Sequence, residues 1–294
     1  MTPSEFVTSG AVNLAVYRWQ NDDAERPVVV LIHGYPDNAS IWEPLATQLA
    51  EDFTVIAYDT RGAGLSSAPS GIESYAAPHL VSDLAAVIYA VSPQQPVHLV
   101  AYDWGALPAW EAVARADFDG RIASLTTAAP SADQLGQWFR GRLTSRSPVR
   151  FLQGLRQVAA SSYMLLFQLP KLPEMTWRLG LGRHWPRFVN LVEGTEAPAH
   201  PNQTADGIQG LNLYRANLRR LLRPHVQPVP TAVPVQLLLL QRDRFLPIHL
   251  FENLEQSASN LRRTQIDAGH WAMLSHTRQL ANAITPFVTS IEDT

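Results

Sequence analysis

The stretch Val97-His98-Leu99-Val100-Ala101-Tyr102-Asp103-Trp104-Gly105-Ala106 constrains this chain more than any other. Its apolar run reads as a buried strand. The small residues Ala101 and Gly105 stand two positions either side of Asp103. A small-x-nucleophile-x-small sequence turns sharply from strand into helix and lifts the middle side chain clear of the sheet. Such a turn belongs to a sheet whose strands alternate with helices. The residue lifted here is a carboxylate, where a serine or cysteine is more common. Carboxylates attack sp3 carbon and leave an ester on the protein, whereas acyl transfer normally uses a hydroxyl or thiol. Epoxides and alkyl halides are therefore the leading substrates. The helix predicted to follow should favour ionised Asp103 through its N-terminal dipole.

The pattern around this turn predicts an α/β fold: a mostly parallel eight-stranded sheet flanked by helices, with an inserted helical lid. The strand candidates are Leu14 to Trp19, Val28 to His33, Phe53 to Tyr58, Val97 to Tyr102 and Ile122 to Thr127. Trp42 to Ala50, His79 to Val91 and Ala106 to Ala116 read as the intervening helices. Residues 131–228 break the alternation, being rich in Trp, Phe, Leu and Arg, with helical stretches at Val149 to Leu166 and Ile208 to Leu222. Strands resume at Val235 to Leu240 and Arg263 to Ile266, before a last helix near His276 to Ile291. Residues 1–130 and 229–294 thus form the core and 131–228 the lid, with Pro224, Pro228, Pro230 and Pro234 marking the return to the sheet.

Nothing in the composition demands external support for folding, since 46% of the 294 residues are hydrophobic. Cysteine is absent, which excludes disulfides, thiolate metal sites and a cysteine nucleophile. That suits a reducing cytoplasm, the compartment we assign, and the first residues do not read as a signal peptide. The net charge of -3 argues against a nucleic-acid partner. It conceals an uneven distribution: residues 131–228 carry 13 Lys and Arg against 5 Asp and Glu, a local +8. Two readings are open, attraction to an anionic membrane or lipid-like substrate, and arginines solvated on outer helix faces.

An aspartate nucleophile needs a base to activate the water that hydrolyses its ester, and the base needs an acid to orient it. His270 lies in Ala268-Gly269-His270-Trp271, after the strand candidate that ends at Ile266. Asp243 follows the strand candidate ending at Leu240, while Asp133 is a competing acid further from its strand. Either residue alone would read as a cap or turn former. In the chain order nucleophile, acid, histidine they suggest a triad. His33-Gly34-Tyr35-Pro36 stands where such folds supply one oxyanion-hole amide, which assigns that role to the backbone of Tyr35 and of Trp104.

With these motifs the chain resembles the epoxide hydrolases of the α/β-hydrolase superfamily over nearly its full length. His33 to Pro36 is similar to their His-Gly-x-Pro motif, and Asp59-Thr60-Arg61-Gly62-Ala63-Gly64-Leu65-Ser66 to a loop shared across such hydrolases. Tyr163, followed by Phe167-Gln168-Leu169-Pro170, and Tyr214, in Asn212-Leu213-Tyr214-Arg215, match the contexts of the family's two lid tyrosines. The resemblance implies that both protonate the epoxide oxygen as the ring opens, and that no metal or organic cofactor takes part. Ala101 departs from the more usual Gly at the elbow. Trp104, Pro36, Phe167 and Trp271 are expected to touch substrate. The aromatic lid, including Trp138, Phe139, Phe151, Met175, Trp177, Trp185 and Phe188, suggests a bulky or long-chain lipophilic epoxide, with water as co-substrate.

The nearest alternative is a haloalkane dehalogenase, which shares an aspartate nucleophile followed by tryptophan. Tyr35 stands where many dehalogenases bind halide through asparagine, and halide release gives paired tyrosines no task. A fluoroacetate dehalogenase would place arginine at Trp104. A non-catalytic ligand-binding member of the fold remains the alternative from another class, but such proteins tend to lose catalytic positions that are all present here.

Overall fold

The computed structural model describes residues 1–19, 26–195, 197–221 and 230–293. Its sheet has eight strands: β1 (Glu5–Ser9), β2 (Val12–Trp19), β3 (Val28–Ile32), β4 (Thr54–Tyr58), β5 (Val97–Ala101), β6 (Ile122–Thr127), β7 (Val235–Leu240) and β8 (Leu261–Ile266). They lie in the order β1-β2-β4-β3-β5-β6-β7-β8. The β1–β2 and β2–β4 pairs are antiparallel, and every later pair is parallel. The seven strand candidates all find a counterpart. β1 was not legible, because Val7 is its sole buried residue and a mostly exposed edge strand carries little apolar signal.

Strands β3, β4 and β5 are buried along their whole length. Their side chains nevertheless alternate between two layers, as the period of a strand requires. Val29 and Leu31 face one layer with α1 (Glu43–Leu49) and α10 (Thr277–Glu292), while Val28, Val30 and Ile32 face the other with α2 (Ala77–Val91) and α3 (Ala106–Val113). A parallel sheet needs both faces covered, and these four helices supply the covers.

Between β6 and β7 the described residues add no strand to the sheet. The helices of this inserted segment, the expected lid, are α4 (Ala132–Leu143), α5 (Pro148–Ala160), α6 (Tyr163–Leu166), α7 (Leu172–Thr176), α8 (Gly182–Glu193) and α9 (Gln203–Leu221), with a π-helical turn over Trp177–Leu181. The predicted single helix from Val149 to Leu166 is broken at Ser161 and Ser162, where the Ser161 hydroxyl accepts from the Gln157 side chain at 3.2 Å. Ser131 caps α4 by accepting from the Gln134 amide. Asp133 falls in the first turn of that helix. Leu222, Pro224 and Pro228 lie outside the described residues. The lid shares its core with one sheet face, because Trp177, Trp185, Leu211 and Tyr214 join the same buried cluster as Leu31 and Trp42. No helix among the described residues is long and apolar enough to cross a membrane.

Candidate active site

Strand pairing gathers the predicted triad at one edge of the sheet. Ile32 of β3 lies opposite Ala101 of β5, and Leu240 of β7 opposite Ile266 of β8. The loops carrying the Tyr35 amide, Asp103, Asp243 and His270 therefore leave neighbouring strands at their C-terminal ends, where open α/β sheets place their ligands.

Asp103 has φ +49°, a left-handed conformation costly for a residue other than glycine. The surroundings enforce it. A Cβ on Gly105 would stand 2.4 Å from the Ile32 carbonyl oxygen, so the turn can press against β3 because that residue has no side chain. A Cβ on Gly34 would meet the Asp103 carboxylate at the same distance. Ala101, by contrast, is buried without disturbing the strand. The departure from glycine at that position is accommodated.

The Asp103 carboxylate is held asymmetrically. Its Oδ1 accepts from the Tyr35 amide at 2.7 Å, and the Trp104 amide also hydrogen-bonds to the group. Its Oδ2 lies 3.8 Å from Nε2 of His270. Nδ1 of His270 donates to Asp243 Oδ2 at 2.8 Å, which fixes the tautomer and leaves Nε2 turned to Asp103. Asp243 is pinned in turn, Oδ1 accepting from the amides of Phe245 at 2.7 Å and Leu246 at 2.9 Å. Of the two acids considered, the one bonded to His270 is Asp243.

Charge follows this geometry. Burial pulls the His270 imidazole down, but Asp243, through its charge and hydrogen bond, together with Asp103 and Asp37, outweighs it and raises the group to about 9. Burial would raise Asp243 too, yet His270 and the two amides bring it below the usual carboxylate range. Asp103 differs: burial pushes it up, and the opposing His270 charge and the two amides recover only part of the shift. The helix dipole expected from the sequence does not dominate, because a 3-10 turn over Asp103–Gly105 precedes α3 and desolvation is the larger effect.

A cavity of about 230 Å³ opens above Asp103. Tyr163 from α6 and Tyr214 from α9 line it together with Asp103 and Trp104. Burial drives both phenols upward, and the Asp103 charge adds to the effect, so both remain proton donors across the neutral range. Ring packing holds them: Tyr214 lies 4.7 Å from Trp104, 4.9 Å from Phe167 and 5.2 Å from Tyr35, centroid to centroid, and Tyr163 lies 5.5 Å from Phe167. Arg215 fixes the segment after Tyr163 by donating to the carbonyls of Phe167 and Leu169.

Three of the residues expected to touch substrate, Phe167, Pro36 and Trp271, lie outside the cavity lining. Phe167 backs the two tyrosines, the Pro36 carbonyl accepts from Gln203, and the Trp271 indole donates to Asp37 beneath rings of Trp185 and Phe188. The cavity extends the other way, toward α4 and α5, where its wall is aliphatic: Leu135, Leu143, Val158, Met164 and Leu250. Of the lid aromatics expected to form a binding surface beyond Tyr163 and Tyr214, Phe139 alone lines it. Trp138, Trp177 and Trp185 are buried packing residues, while Phe151 and Met175 are exposed.

Two features escaped sequence reasoning. Asp37, directly after the His33-Gly34-Tyr35-Pro36 motif, is a buried carboxylate that accepts from Tyr102 and Trp271 and adds its charge beneath His270. Its position beside that motif was the available signal. The side chain of Tyr35 also ties the core to the lid, accepting from the Trp177 indole at 2.9 Å and donating to the Gly207 carbonyl at 3.0 Å.

Known proteins share this architecture. A protein of Mycobacterium tuberculosis strain H37Rv named "Probable oxidoreductase EphD" is 34% identical over 286 residues, covering 94% of this chain and 48% of its own length. The chain thus spans about half of that relative. "Epoxide hydrolase 3" of Xenopus tropicalis is 27% identical, covering 90% of this chain and 72% of itself. The crystal structure of the Bacillus megaterium epoxide hydrolase superposes with a TM-score of 0.77 at 21% identity, over 97% of this chain and 100% of that one. An epoxide hydrolase of Vigna radiata gives 0.72 at 21% identity, over 97% of each. Residues 27–277 match the family model for the alpha/beta hydrolase fold, and the chain belongs to that family.

Proposed function

We propose that this protein hydrolyses lipophilic epoxides to vicinal diols through a covalent ester on Asp103. One observation carries the reading: a carboxylate whose Oδ1 is held by the Tyr35 amide and whose Oδ2 lies 3.8 Å from His270 faces an apolar cavity that two phenols also line. The relatives named epoxide hydrolase support the same substrate class.

In this mechanism Oδ2 of Asp103 attacks an epoxide carbon. A carbon–oxygen bond forms, the ring bond breaks, and the released alkoxide takes the phenolic proton of Tyr163 or Tyr214. Esterification removes a negative charge that holds the His270 pKa up, and so favours the neutral imidazole that a base requires. Nε2 then takes a proton from water as the water oxygen adds to the ester carbonyl carbon. The oxyanion develops on Oδ1, already within reach of the Tyr35 and Trp104 amides. Collapse expels the diol oxygen, which takes the proton from His270. The proton left on the Asp103 carboxyl returns to the tyrosinate, restoring both groups.

The test offers purified protein a panel of aryl and fatty epoxides beside bromoalkanes and scores diol and halide. Diol formation that disappears in the Tyr163→Phe/Tyr214→Phe double variant supports the proposal. Halide release indifferent to both tyrosines would make the protein a dehalogenase instead.

A further inference from the structure

Helix α5 is built the wrong way round for a helix that covers a core. Its buried positions are Gly154 and Gln157. Phe151, Leu155 and Val158, spaced by four and three so that they share one face, are exposed. On the next helix, α6, Leu165 and Leu166 are also exposed, at 59% and 56%. Apolar side chains left exposed on one helix face and on the helix after it are a pattern that marks interaction surfaces.

Charge identifies the occupant. Between Asp133 and Glu174 the sequence has six Lys and Arg and no Asp or Glu. Arg146, Arg150 and Arg156 are exposed among the apolar side chains of α5 and its approach. Apolar side chains on one face, edged by arginines, form the pattern of a helix lying in a membrane interface, where rings and aliphatic groups enter the acyl boundary and guanidinium groups meet lipid phosphates. The surface also adjoins the cavity mouth: Leu143, Val158 and Leu165 are both exposed and part of the cavity wall.

We propose that the outer face of α5 and α6 docks on an anionic lipid bilayer and brings the cavity mouth against the lipid. The docking stands apart from the reaction chemistry. Where the epoxide reading also holds, it gives a lipophilic substrate a path from bilayer to Asp103 without crossing water.

Flotation with phosphatidylglycerol vesicles, against pure phosphatidylcholine vesicles, tests it without reference to activity. The wild-type chain should float with the anionic vesicles and lose that association in high salt. Arg146→Gln/Arg150→Gln/Arg156→Gln should weaken partitioning about a hundredfold, at roughly fivefold per charge removed near the surface. Phe151→Ser/Leu155→Ser should weaken it too, at an unchanged melting temperature. If that pair unfolds the protein, the arginine triple alone decides. Equal binding to both vesicle types, or binding to neither, overturns the proposal. So does a dimer that Phe151→Ser/Leu155→Ser splits into monomers while vesicle binding stays as before, because the face would then meet a second copy of this chain.

Discussion

The cavity has two walls, and they hold their polar groups by different means. On the sheet side, Asp103 lines the cavity with His270 and Asp243 behind it, and the three are fixed by backbone amides, a strained turn and one another. On the lid side, Tyr163 and Tyr214 are fixed chiefly by rings stacked edge to face. Backbone amides hold a group by directed hydrogen bonds of fixed length. Packed rings admit small shifts while keeping their contacts. The first wall therefore suits groups that must stand at bonding distance from a reacting atom, and the second suits groups that must follow an oxygen as its ring opens.

The largest expected effect tests the rigid wall. His270→Gln should reduce turnover by about 10^4-fold or more, as loss of a triad base does elsewhere, yet leave the first chemical step available. Intact-mass measurement after mixing with an epoxide should then show one adduct equal in mass to the substrate. Asp103→Asn should show none, with turnover lost in a fresh preparation before deamidation restores the acid. In that variant the His270 imidazole, followed by NMR, should titrate lower than in the wild type because one of the charges holding it up is gone. An adduct formed equally by both variants would remove Asp103 from the role of nucleophile.

The lid wall should respond in grades. Tyr163→Phe and Tyr214→Phe alone should each cost about tenfold in kcat, because the remaining phenol can still reach the oxygen, and together about 10^3-fold, within the range of general acid catalysis. Single and double variants with equal loss would mean that the tyrosines act as one unit and that this wall is as rigid as the other.

That contrast explains what was legible in the sequence. Groups fixed by the backbone leave local signals: small residues around Asp103, Gly and Pro after His33, and an acid and a histidine each a few positions past an apolar run. Strand order then brings them together, and the pattern of strands is itself local. Groups fixed by packing leave no comparable signal. Trp177, Trp185 and Phe167 differ little in composition from residues that line a pocket, and whether such a ring faces substrate or a neighbouring ring depends on helix crossings that no short window encodes. The cavity wall was accordingly expected to be aromatic and is largely aliphatic. Helix α8 was missed for a related reason, since Gly182 and Pro186 depress its helical pattern while burial of Trp185 and Val189 holds it in place.

The smallest effect lies at the seam between the walls. Asp206 on α9 accepts from the Gly64 amide at 3.0 Å and from Asn38 at 3.1 Å, both on core loops. Its neighbour His200, 3.6 Å away, is pulled down by burial and so favours the neutral form, which supplies no countercharge. Burial raises Asp206 to about 7, against the hydrogen bonds from Asn38 and Gly64 and with help from Asp59 and Asp37. The unfolded chain releases this proton near pH 4, so between about pH 4 and 7 the folded state binds more protons than the unfolded state. The contribution of Asp206 to stability then falls as pH rises through that window and is level above it. Asp206→Asn cannot titrate and should flatten the fall, a change of a few kcal/mol at most, read from urea midpoints at pH 5 and pH 8. A slope unchanged in the variant would place the pH dependence elsewhere. A slope that vanishes would show that the lid sits on the core through a carboxyl group the protein keeps protonated in mild acid, a third way of holding a group beside amides and rings.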